Sequence, residues 1–181
     1  VHDRLTGVTE RVSVASDGTQ GNANTSEASL SADGRYVAFQ SIATNLVPGD
    51  TNGATDVFVH DRLTGVTERV SVASDGAPGD ANSFSASVSA DGRYVAFDSG
   101  ATNLVADDTN GFRDVFVHDR ETGVTQRVSV TSDGTQGNGT TSEPAISADG
   151  RYVAFESAAS NLVPGDTNEV QDVFARDRTV T

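Results

Sequence analysis

The chain has 181 residues and a mass of 18.7 kDa, and it carries 26 acidic residues against 12 arginines and no lysine, a net charge of -14. Such a charge repels nucleic acid and anionic membrane surfaces, so cationic, neutral or metallic partners are expected. Cysteine is absent, which rules out a disulfide framework, and no apolar stretch is long enough to insert into a membrane.

The dominant feature is a repeat. Val1–Phe58, Val59–Phe116 and Val117–Phe174 align without a gap, the first two agree at 45 of 58 positions, and 175–181 begins a fourth copy. A period of this size marks one supersecondary unit stacked on copies of itself. Each unit is too small to bury a good core alone, so residues 1–181 read as a single repeat domain held by stacking. Starting at Val1 in mid-repeat, without methionine or an apolar leader, the chain reads as a processed product or a piece of a longer one.

In chain order, Val1–Arg4 reads as the end of a strand and Val8–Val14 as a complete outer strand. Asp17–Asn24 is a Gly/Asn connector, with a rim that binds sugar or peptide as the competing reading. Asp33-Gly34 separates two β-type runs, a hairpin signal, and its second run Tyr36-Val37-Ala38-Phe39 is apolar on both faces, as in a sheet covered from both sides. A long loop, Ile42–Thr55, leads to the strand Asp56–Asp61 and its turn. The outer strand that follows is clearest in the third copy, where Val124, Val128 and Val130 are expected on one face and Thr125, Arg127 and Ser129 on the other. Each repeat thus holds four short strands, no segment has a helical period, and the chain reads as all-β.

Four antiparallel strands per repeat describe a β-propeller blade. The strings Ser-x-Asp-Gly-Arg-Tyr-Val-Ala-Phe and Asp-Val-Phe-Val-x-Asp-Arg-x-Thr-Gly resemble the WD-like blade repeat of TolB-like β-propellers, and the resemblance extends over all three copies. It implies three blades of 58 residues, half of the six-bladed ring usual in a family that includes periplasmic scaffolds, secreted proteins and peptidase gating domains. Three blades are too few to close a ring. A homodimer is therefore expected, in which the N-terminal outer strand of one chain completes the blade begun at the C-terminus of the other. A fragment of a longer propeller and an open head-to-tail assembly through exposed edges are the alternatives.

Two residue sets invite a site. Loop tails repeat oxygen ligands at Asp50, Asn52 and Asp56, at Asp108, Asn110 and Asp114, and at Asp166, Asn168 and Asp172, a spacing that suits calcium. Asx-turns are the competing reading, and Glu169 in place of glycine weakens the third copy. His2, His60 and His118 are one slot copied three times, with Arg176 at the next position, and are poor catalytic candidates. No nucleophile elbow and no phosphate-cradling loop occurs. The expected function is a non-catalytic scaffold or protein-interaction module, calcium-stabilised and extracellular or periplasmic. A multivalent carbohydrate-binding propeller is the alternative, with Phe84 and Phe112 the aromatics unique to one copy, and a hydrolase or lyase using the central channel comes last.

Overall fold

The structure is a computed structural model describing residues 1–179; of the stub at 175–181, residues 180 and 181 lie outside it. Strands β1 (Thr25–Leu30), β2 (Tyr36–Ser41), β3 (Asp56–Asp61) and β4 (Thr67–Arg69) form an antiparallel meander. A second meander contains β5 (Ser83–Val88), β6 (Tyr94–Ser99), β7 (Asp114–Asp119) and β8 (Val124–Arg127). The third sheet holds β9 (Thr141–Ile146), β10 (Tyr152–Ser157) and β11 (Asp172–Asp177), and β11 is its outer edge. No helix occurs among the described residues.

Local chemistry accounts for the recurring corners. At the β1–β2 turn Asp33 Oδ1 accepts from the Arg35 amide (3.0 Å) and from Ser31 Oγ (2.7 Å), and Gly34 takes φ of +72°, which a side chain would resist. The inner strands are kinked by a register shift in each copy, where Glu27, Ser85 and Glu143 hold positive φ. The long loops are ordered because they place an alanine and a leucine in the interior: Ala43 and Leu46, Ala101 and Leu104, Ala159 and Leu162 are all buried.

The core lies between the sheets. Ala38, Val57 and Val59 of the first blade pack with Val95, Phe97 and Phe116 of the second, and Ala96, Val115 and Val117 of the second pack with Val153 and Phe155 of the third. Every middle strand is therefore covered on both sides until the third blade, where Val173 is 74% exposed and Tyr152 44% exposed. The outer strand departs from the expected alternation. Val124 is exposed, whereas Thr125, Val128 and Ser129 are all buried. The strand ends at Arg127, with one more backbone bond from the Val128 amide to the Val115 carbonyl (2.8 Å), and Thr125 donates to the Val72 carbonyl of the preceding blade (2.5 Å), so a polar residue faces inward there.

The connector 17–24 is tied to the loop that follows β2. The Asn22 amide donates to Asn45 Oδ1 (2.9 Å), the Thr44 amide donates to Asn22 Oδ1 (3.0 Å), and Asn45 Nδ2 donates to the Gln20 carbonyl (2.9 Å). The N-terminal segment is a hairpin bridged at His2 and Thr9. It docks on the first blade as an outer strand does: Thr67 Oγ1 donates to the Val14 carbonyl (2.5 Å) and Arg62 pairs with Glu10.

Candidate functional site

In the first copy the expected ligands do come together, around a guanidinium. Arg69 Nη1, reaching from β4, lies 3.1 Å from Asp50 Oδ1 and 3.0 Å from Asp56 Oδ2. Ser71 Oγ donates to the other oxygen of Asp56 (2.6 Å), and Asn52 Nδ2 donates to Asp56 (2.9 Å) and to the Gly79 carbonyl (3.2 Å). Asn52 Oδ1 accepts from the Ala54 amide (3.1 Å), the Asx-turn of the competing reading. Burial pushes the Asp50 carboxyl above its ordinary range, aided by Asp56 and opposed by Arg69.

The second copy repeats this arrangement. Arg127 Nη1 lies 3.1 Å from Asp108 Oδ1 and 3.4 Å from Asp114 Oδ2, Ser129 Oγ donates to Asp114 (2.6 Å), and Asn110 Nδ2 donates to Asp114 (2.8 Å). In both copies a guanidinium stands between the two carboxylates that the sequence offers to a cation. The third copy differs. Asn168 Nδ2 donates to Asp172 (3.1 Å), but among the described residues no counterpart of the arginine or the serine joins them, since in the other copies both come from the outer strand and the residues just after it. Asp166, Asn168 and Asp172 instead line an open groove along β11 with Val173 and Phe174. No group of three His, Cys, Asp or Glu side chains converges as a metal site among the described residues. The arginine and serine were not singled out from the sequence; the available signal was their constant place, 13 and 15 residues beyond the last aspartate.

The histidine slot is a packing position in the second and third copies, whereas His2 is exposed. His60 and His118 are buried, and each Nδ1 meets a threonine hydroxyl, at 2.8 Å to Thr67 and 2.9 Å to Thr125. Those hydroxyls already donate to backbone carbonyls, so each imidazole donates from Nδ1. Burial lowers both histidine pKa values. Asp61 accepts a two-pronged bond from Arg35, and Asp119 one from Arg93, which holds both carboxyls well below the usual range. Of the unique aromatics, Phe84 lies under the Arg113 guanidinium and Phe112 is exposed beside Asn110 and Gln136.

Known structures resemble this arrangement of sheets along nearly the whole chain. TolB from Acinetobacter baumannii superposes with a TM-score of 0.56 at 21% identity, covering 98% of this chain and 34% of that one. The chain has the TolB-like β-propeller fold. A second TolB chain, from Agrobacterium tumefaciens, gives a TM-score of 0.55 at 17% identity over 87% of this chain and 47% of that one. The tricorn protease gives 0.53 at 17% identity over 96% of this chain and 14% of that one. This TolB-like chain thus spans less than half the length of each. No protein-family model and no curated protein matches the sequence.

Val8–Val14 corresponds, residue for residue, to the outer strands, with Arg11 in the place of Arg69 and Arg127, and Ser13 in the place of Ser71 and Ser129. Among the described residues β11 is the outer edge of its sheet and runs next to Asp166 and Asp172.

Proposed function

We propose that the chain is a non-catalytic propeller scaffold that assembles with itself by strand addition. In this reading Val8–Val14 of one copy takes the outer-strand place beside β11 of a second copy, and two chains make a six-bladed ring. The observation that carries it is the carboxylate pair Asp166 and Asp172, which lacks the arginine and serine found in the other blades while Arg11 and Ser13 lie at the matching repeat positions. A strand added to an open edge gains backbone hydrogen bonds, and the arginine adds register and charge complementarity. The fold it shares with TolB favours an extracellular or periplasmic setting for such a scaffold.

Calcium enters this proposal as an alternative counter-charge for Asp166 and Asp172, in competition with Arg11 of the second copy. Sedimentation equilibrium tests both parts. The wild-type chain is expected to dimerise, Arg11→Ala to dissociate, and added calcium to shift the wild type toward monomer. A wild type that stays monomeric at millimolar concentration overturns the proposal, and a dimer indifferent to Arg11→Ala removes its specific chemistry.

A further inference from the structure

The contact between successive blades occurs twice within the chain. Tyr36 of the first blade lies on Gly92 of the second so closely that a Cβ there would fall 2.0 Å from the ring. Tyr94 lies on Gly150 of the third in the same way, at 2.1 Å. Each ring is held between two guanidiniums: Arg35 and Arg120 lie 4.7 and 4.4 Å from the Tyr36 centroid, and Arg93 and Arg178 lie 4.8 and 4.6 Å from that of Tyr94. A backbone bond accompanies each contact, from the Ala32 amide to the Ala90 carbonyl and from the Ala90 amide to the Ala148 carbonyl, both 3.0 Å.

The halves left over are complementary. Tyr152 has Arg151 at 4.8 Å on one side and no second guanidinium over it among the described residues, and it is 44% exposed. At the far end of the chain Gly34 has the same left-handed geometry as Gly92, at φ +72° and +77°, yet a Cβ there would meet only Arg62 Nη1 at 3.5 Å and Leu30 at 3.9 Å. Arg62 donates to the Gly34 carbonyl (2.6 Å), as Arg178 does to Gly150 (2.6 Å), and it carries no ring. The glycine platform and its arginine are therefore already assembled on the first blade.

We infer that Tyr152 of one copy seats on Gly34 of a second copy, between its own Arg151 and the second copy's Arg62, and that this contact locks blade three of one chain against blade one of the next. The inference rests on the self-assembly reading but concerns a different surface, the junction between blades and not the strand added within one. Glu10, which holds Arg62, lies on the donated strand itself, so strand addition brings the platform to the tyrosine.

Sedimentation equilibrium of Tyr152→Ala and Gly34→Asn tests it. Asparagine tolerates the left-handed backbone and would stand where the ring must lie. Tyr152 is a surface residue of the single chain, so its removal is expected to leave the thermal midpoint at monomeric concentration within about 2 °C. Each substitution is expected to raise the dimer dissociation constant at least about tenfold, as loss of a central aromatic anchor does. A wild type that dimerises, dissociates on Arg11→Ala and is untouched by Tyr152→Ala and Gly34→Asn overturns this contact while leaving strand addition standing. A wild type that never dimerises overturns both.

Discussion

At the scale of single residues, the carboxylate loops show how a cation-like site is satisfied from within. Asp56 is fully buried and is paired with Arg69. Removing one partner of a buried pair leaves an uncompensated charge, so Arg69→Ala is expected to cost about 3–5 kcal/mol in urea unfolding. Arg69→Lys is expected to recover less than half of that loss, because one ammonium cannot reproduce the contacts of a guanidinium to two carboxylates. A cost below about 1 kcal/mol for the alanine variant would mean that the carboxylates find another partner. The oxygen side of this site was legible in the sequence, since Asp50, Asn52 and Asp56 fall within seven residues of one loop. Its cationic side was not, because Arg69 reaches the loop from another strand and strand pairing alone brings them together. The same holds for Tyr36, whose place in a both-faces-apolar strand was readable while the glycine beneath its ring, 56 residues on, was not.

At the scale of elements, the hairpins were legible because Asp-Gly corners and apolar runs are local, and the period repeats them three times. The outer strand was less so. Its expected alternation fails at Thr125, whose hydroxyl bonds to the neighbouring blade, a partner no single repeat contains. The N-terminal hairpin raises a further point. Within it the Asp3 amide donates to Val8 (2.9 Å), the Glu10 amide to Val1 (2.9 Å) and the Gly7 amide to Asp3 (2.8 Å). Val1–Arg4 occupies the repeat positions of Ala175–Arg178 in and just beyond β11, so the same edge of Val8–Val14 cannot pair with both. Deleting Val1–Gly7 should therefore release the strand for addition and tighten dimerisation about tenfold, the equivalent of about 1.4 kcal/mol. Analytical ultracentrifugation of the shortened chain decides the matter, since unchanged or weaker association would show that the hairpin does not compete.

At the scale of the whole molecule, the repeated charged groups combine into one pH response. Burial lowers the pKa of His60 and His118 in the folded chain, so as pH falls below about 6.5 the unfolded chain takes up these protons first and stability declines. Asp61 and Asp119 are held low chiefly by hydrogen bonds from Arg35 and Arg93, so their contribution is present above the ordinary carboxylate range and is lost as pH falls through and below about 4. Asp50, Asp98 and Asp108 act in the opposite sense, because burial raises them, and they soften the second step. Scanning calorimetry should show a first fall in midpoint between about pH 7 and 5, absent in a His60→Gln, His118→Gln double variant, and a steeper one below about pH 4. A midpoint flat from pH 7 to 5 would place the imidazoles in contact with water.

The ring of Tyr36 rests on a backbone that has no side chain to yield, and Tyr94 repeats the contact one blade further on. The tilt from each sheet to the next is thereby fixed by the thickness of an aromatic ring and not by the length of the polypeptide. Curvature is then a property of the junction alone. Chains carrying two, three or six of these repeats would bend through the same angle at every step, and the number of blades that closes a circle would be the same for all of them.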